Sequence, residues 1–200
     1  MRILSRVIPM ALFLGLAGVG EAEAQEGWWW GATYQGALGA GDTKELVEAF
    51  SWRNVGVDGR LMVAPKISVG FFAGWNVFHD QGEGVISLGG ADLSGMHIGY
   101  VNAVPLLVNA HFYTGTVGGP GGFLGIGAGA YWVENRLDVG LSSLSSTNWH
   151  AGVAPEVGVS LPMEGNLDGY LSVKYNYTFE KGGIQPAYWT FGIGVGRRSR

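Results

Sequence analysis

His150, Glu156 and Ser160 supply the residue types of a hydrolytic triad: a base, an acid to orient it and a hydroxyl nucleophile. They share one parity in "WHAGVAPEVGVS", so a strand would carry them on one face. Six extended residues nevertheless hold His150 about 20 Å from Glu156, too far for proton transfer, and the sequence therefore predicts no catalytic site. His79 with Asp80, and His97, flank a long polar segment and offer three metal-ligand types. Two rim histidines account for them without a metal, and no metal or cofactor is expected. The glycines alternate along extended segments and do not open a helix, so they form no phosphate-cradling Gly-Lys motif.

Two charge pairs have a structural chemistry. Asp58 and Arg60 stand two residues apart, on one face of a strand. Glu156 and Lys174 flank "PMEGNL". If that segment closes a hairpin centred near Gly165, positions equidistant from it oppose one another: Val157 with Val173, Val159 with Leu171, and Glu156 with Lys174. A slip of one residue would set charge against apolar side chains. A buried ion pair, Glu156–Lys174, is the expectation.

The elements that must position these residues are strands. In "LSVKYNYTF" the residues Leu171, Val173, Tyr175, Tyr177 and Phe179 alternate with Ser172, Lys174, Asn176 and Thr178, which is a strand with two unlike faces. Eight such segments are predicted: Trp28 to Ala40, Arg53 to Val63, Ile67 to Phe78, His97 to Tyr113, Gly122 to Glu134, Asn148 to Leu161, Gly169 to Phe179 and Pro186 to Arg197. Long polar connections follow the first, third and fifth, and short ones follow the second and sixth. That is the pattern of an all-β, eight-stranded antiparallel up-and-down transmembrane β-barrel. A helical hairpin over 93–133 is disfavoured, because each internal glycine costs a helix about 1 kcal/mol.

Composition decides which face meets which solvent. Charged residues make up 14% of the chain, against about 25% in soluble domains, so a water-facing surface could not be covered. Of 200 residues 36 are glycine, where average usage gives about 14. In "GFLGIGAGAYW" and "YWTFGIGVGR" large residues alternate with glycine. Bare glycine suits the narrow lumen of an eight-stranded barrel, so the large set faces lipid. The inward set then includes Thr33, Gln35, Asp58, Arg60, Asn76, Asn109, Glu156, Lys174 and Asn176, which suits a self-neutralising plug better than a pore. Aromatic girdles are expected at both ends: Trp28, Trp30, Phe112, Tyr113 and Phe123 near the short turns, and Trp75, Trp132, Trp149, Tyr177, Phe179 and Trp189 near the long loops.

Arg2 and Arg6 precede an apolar run from Val7 to Gly20 and an A-x-A site ending at Ala24, so residues 1–24 read as a signal peptide and 25–200 as the barrel domain. Its removal takes two charges of each sign and leaves the net charge at −4. The chain has no cysteine for disulfides or thiolate metal sites, and no basic patch suited to nucleic acid.

At "VPLLVNAHFYTG", "FLGIGAGAYWVENR", "WHAGVAPEVGVSLP" and "LSVKYNYTF" the chain resembles the small bacterial outer-membrane β-barrels, the opacity-protein, OmpX-type and OmpW-type proteins. The resemblance implies an integral outer-membrane protein of a Gram-negative cell, inserted by the barrel assembly machinery and surrounded by outer-membrane lipid and lipopolysaccharide. Lipid A deacylases and palmitoyltransferases are barrels of the same size, but the deacylase His-x-Ser element is missing here, since Ala151 and Gly152 follow His150. The expected role is non-catalytic: envelope-structural or surface-interacting through the loops, with a narrow channel as the alternative. The resemblance names no loop partner.

Overall fold

Alternation of apolar and small or polar residues gives extended segments with one face for lipid and one for a crowded interior. In the computed structural model, which describes residues 27–88, 91–115, 120–139 and 142–199, these segments close on themselves. The strands are β1 (Trp28–Gly41), β2 (Ser51–Ala64), β3 (Ile67–Leu88), β4 (Ala91–Tyr113), β5 (Gly121–Val139), β6 (Ser142–Pro162), β7 (Leu167–Thr178) and β8 (Pro186–Arg198). Each pairs antiparallel with its neighbours in the chain, and β8 returns to β1. Closure leaves no edge strand, so the backbone ladder runs around the whole barrel with few interruptions, as a hydrocarbon solvent demands. The expected signal segment lies outside the described residues.

The outer surface is apolar. Val108, Leu124, Ile126, Val157, Ile193 and Val195 are between 51% and 71% exposed. In water such a band would be an uncovered hydrophobic patch; in a bilayer it is the required outer face.

Two segments expected as long loops are strand instead. β3 and β4 run on to Leu88 and Ala91, and β5 and β6 to Val139 and Ser142. A bilayer crossing takes about 9–11 residues, whereas β3 and β4 have 22 and 23. Beyond Phe78, β3 therefore projects about 30 Å past the barrel mouth. Such a ribbon pairs its own backbone and needs no apolar face, which is why alternation did not mark it.

The remaining long connection folds inward. Gly41, at φ 51, turns the chain into a short helix, α1 (Asp42–Leu46), a backbone setting that side chains resist. Asp42 Oδ2 accepts the Gln185 N–H at 2.6 Å, and Thr43 Oγ1 accepts the Ala187 N–H at 3.2 Å. After α1, Val47 is fully buried and packs into the apolar layer of the mouth with Phe78, Val101, Tyr131, Val133 and Tyr188.

Candidate functional site: the barrel lumen

Below that apolar layer, toward the short turns, the lumen is charged. The β6–β7 register pairs Glu156 with Lys174, Val157 with Val173 and Val159 with Leu171, the register of a hairpin centred on Gly165. Glu156 Oε2 lies 3.6 Å from Lys174 Nζ and 3.3 Å from His111 Nε2. Lys174 Nζ also stands 3.5 Å above the centre of the Phe72 ring. All three charged or titratable groups are buried.

A second cluster lies on β2 and its neighbours. Arg60 Nη2 is 3.4 Å from Asp58 Oδ1, and Nη1 donates to Tyr113 Oη at 3.2 Å. Asn109 Nδ2 donates to Asp58 Oδ1 and Tyr170 Oη to Oδ2, each at 3.4 Å; Tyr170 Oη also bonds Thr33 Oγ1. The guanidinium is boxed by the rings of Trp29, Phe123 and Tyr170, with centroids 4.6, 5.3 and 5.6 Å away. Cations favour such ring faces once out of water. Each charge thus has an opposite charge, a ring or a neutral hydrogen-bond partner, the condition under which buried charges persist.

The other candidates do not converge. His150 lies in the row of Tyr131, with Nδ1 3.3 Å from the Phe179 carbonyl oxygen, far from the partners of Glu156. His79 pairs in register with Tyr100, and His97 with Gly82 three positions on. No group of three or more metal-capable residues occurs among the described residues.

Sequence reasoning missed His111, Tyr113, Phe123, Tyr170 and Trp29 as lumen residues. Tyr113 and Phe123 were expected in the short-turn girdle, but Phe123 is 2% exposed and packs on His111, ring centroids 5.6 Å apart. Parity held the signal. Asn109, His111 and Tyr113 share one face of β4, whereas Phe112, exposed at 50%, takes the other. The rest of that girdle, Trp28 and Trp30, does face out, as do Trp75, Trp149, Phe179 and Trp189 at the opposite end.

A closed barrel, charged inside and apolar outside, has solved counterparts. The N-terminal β-barrel domain of Pseudomonas aeruginosa OprF matches with a TM-score of 0.52 at 15% identity, over 88% of this chain and 100% of that one. The fold is that of the small outer-membrane β-barrels. Neisserial surface protein A matches this barrel with a TM-score of 0.52 at 14% identity, over 88% of this chain and 99% of its own. Ail, the attachment invasion locus protein of Yersinia pestis, does so at 0.52 and 11%, over 87% and 99%. Neither a protein-family profile nor a curated protein matches the sequence. Such identities carry the architecture alone, so the role of this outer-membrane-type barrel has to be argued from its own residues.

Proposed function

We propose that the chain is an integral outer-membrane protein with a closed lumen and no catalytic role, acting at the cell surface through the ribbons that β3–β4 and β5–β6 raise above the membrane. The observation that carries this reading is the double closure of the interior. Val47 and its apolar neighbours fill the mouth, and below it the contacts of Lys174 with Phe72 and of Tyr170 with Asp58 cross the lumen between strands that are not neighbours. A conduit would need both of these layers to be open and wet. Meanwhile the longest strands spend half their residues outside the bilayer, where a barrel with only a structural task has no use for them. The names of two structural counterparts, a surface protein and an attachment protein, accord with that role.

The test is single-channel recording of the full chain refolded into planar bilayers. The expected record is flat. Stable open steps would assign the protein to the conduits.

A further inference from the structure

Outside the lumen, the lipid-facing surface is not uniform. Val57 has alanine on both sides in the ladder, Ala32 on β1 and Ala73 on β3, so the belt is lower here by most of a side chain. The result is a groove of about 640 Å³ whose lining includes Ala32, Val55, Val57, Ala73, Ile193 and Val195. Tyr34 and Trp75 stand on either side of Val55 at its upper end. Below it Trp30 and Phe71 close the lower end edge to face, centroids 5.4 Å apart. An acyl chain fits such a slot.

Charge and polarity at the upper end say which lipid. Arg53 lies one outward step above Val55 on β2, about 7 Å along the strand. It is exposed, and its guanidinium has no acidic partner among the described residues. In the same row of the ladder, Arg53 is followed by Val77, Asn102 and Glu134. Trp75 Nε1 donates to Asn102 Oδ1 at 3.0 Å, and Asn102 Nδ2 to Glu134 Oε2 at 3.2 Å. Tyr100 Oη joins the same Asn102 oxygen at 3.4 Å. A cation separated by one valine from a linked amide, phenol hydroxyl and carboxylate offers a seat for a phosphate on the arginine and for sugar hydroxyls on the polar groups. This row lies at the long-loop end, the side of the outer leaflet.

We propose that the groove and Arg53 together bind one phosphorylated, acylated glycolipid of the lipid A class, an acyl chain lying over Val57 and a phosphate on Arg53. This rests on the outer-membrane reading above, because only there does the outer leaflet carry such a lipid. The polar row distinguishes it from a phospholipid, whose headgroup has fewer hydroxyls to satisfy.

Native mass spectrometry of the full chain, refolded in detergent and offered phosphorylated lipid A, dephosphorylated lipid A or phosphatidylglycerol, tests the site. The expected spectrum holds one phosphorylated lipid A per barrel. Arg53→Gln should weaken retention roughly tenfold, the scale of one charge-assisted contact, and should abolish the preference for the phosphorylated form. Ala73→Leu, which fills the groove from outside and leaves the lumen untouched, should weaken both lipid A forms. Equal retention of the dephosphorylated form or of phosphatidylglycerol by the unaltered chain overturns the proposal. So does a dimer that Ala73→Leu dissolves, since a second copy would then be the occupant. Each variant is first shown to be folded by its faster migration on unheated gels. Failure here with a flat conductance record leaves the closed-barrel reading standing, whereas open channel steps strike that reading and not this one.

Discussion

The indole of Trp29 lies directly on the backbone of Gly196, across the seam where β1 meets β8. A Cβ built at Gly196 would fall within the ring. Tyr170 lies over Gly194, Phe123 over Gly158 and His111 over Gly125 in the same way. Lumenal glycines are seats for rings reaching across from neighbouring strands, a device that also pins the register. Gly196→Ala must displace Trp29 and with it one wall of the Arg60 box, so it should destabilise the barrel by about 1 to 3 kcal/mol. Urea titration of refolding into lipid vesicles measures this. Combining it with Trp29→Leu should recover part of the loss, because the smaller side chain vacates the seat.

The Glu156–Lys174 pair gives a second prediction. Removing one member of a buried pair costs about 3 to 5 kcal/mol, because the other charge is stranded. Glu156→Gln leaves Lys174 with only the Phe72 ring; Lys174→Met leaves Glu156 with His111. Each should destabilise, Lys174→Met less, since His111 remains at 3.3 Å. The double variant should lose less than the sum of the two. A double-mutant cycle in the same refolding assay reads the coupling, expected at about 1 kcal/mol or more, and a value of zero would mean that the two side chains reach lumen water separately.

Much of this was legible in the sequence because strand alternation and hairpin symmetry are local. "LSVKYNYTF" shows two faces within nine residues, and Gly165 fixes the β6–β7 register by counting outward. The eight strands and the inward polar set follow from the same rule. What stayed hidden depends on partners remote in the chain. That Tyr170 sits on Gly194 requires the β7–β8 register, and assigning aromatics to strand ends instead of to parities misplaced Tyr113 and Phe123. The ribbon extensions were unreadable for another reason: beyond the membrane a strand needs no regular apolar face, and "HDQGEGVISLGGADLSGM" shows no sustained alternation. The descent of α1 into the mouth was equally silent, since "DTKEL" is polar and the apolar seat for Val47 is assembled from four other strands.

A third prediction concerns the outward face. Val173 belongs to the large set of β7, and its neighbour Ser172 is buried in the lumen. Arginine placed near the bilayer midplane on the lipid side should cost about 2 to 4 kcal/mol, so Val173→Arg should lower the folded fraction in vesicles. A cysteine at 173 should be quenched by a lipid-phase probe through an attached fluorophore, and one at 172 should not. Equal quenching at both would refute the assignment of faces.

The last prediction separates the two closures of the lumen. Val47 has no exposed surface, and the segment that carries it is tied by the Asp42–Gln185 and Thr43–Ala187 bonds and by the Glu48 N–H, which donates to Asp80 Oδ2 at 3.0 Å. Val47→Asp would place an unpaired carboxylate against Phe78, Val101 and Val133. Losing the burial of one valine costs about 1.5 to 3 kcal/mol even before the charge is counted, so the segment should swing out while the eight-stranded ladder stays closed. Lys44, already exposed, then becomes a trypsin site. With opening fast relative to cleavage, the rate should rise by about tenfold or more, and Val47→Ile should leave it low. Unchanged cleavage in Val47→Asp would mean that the burial of Val47 does not hold the segment in place. Conductance should remain absent in this variant, because the Arg60 box and the Glu156 cluster still fill the lumen toward the short turns. If channels appear, the apolar mouth is the only closure and the charged layer below it is wet.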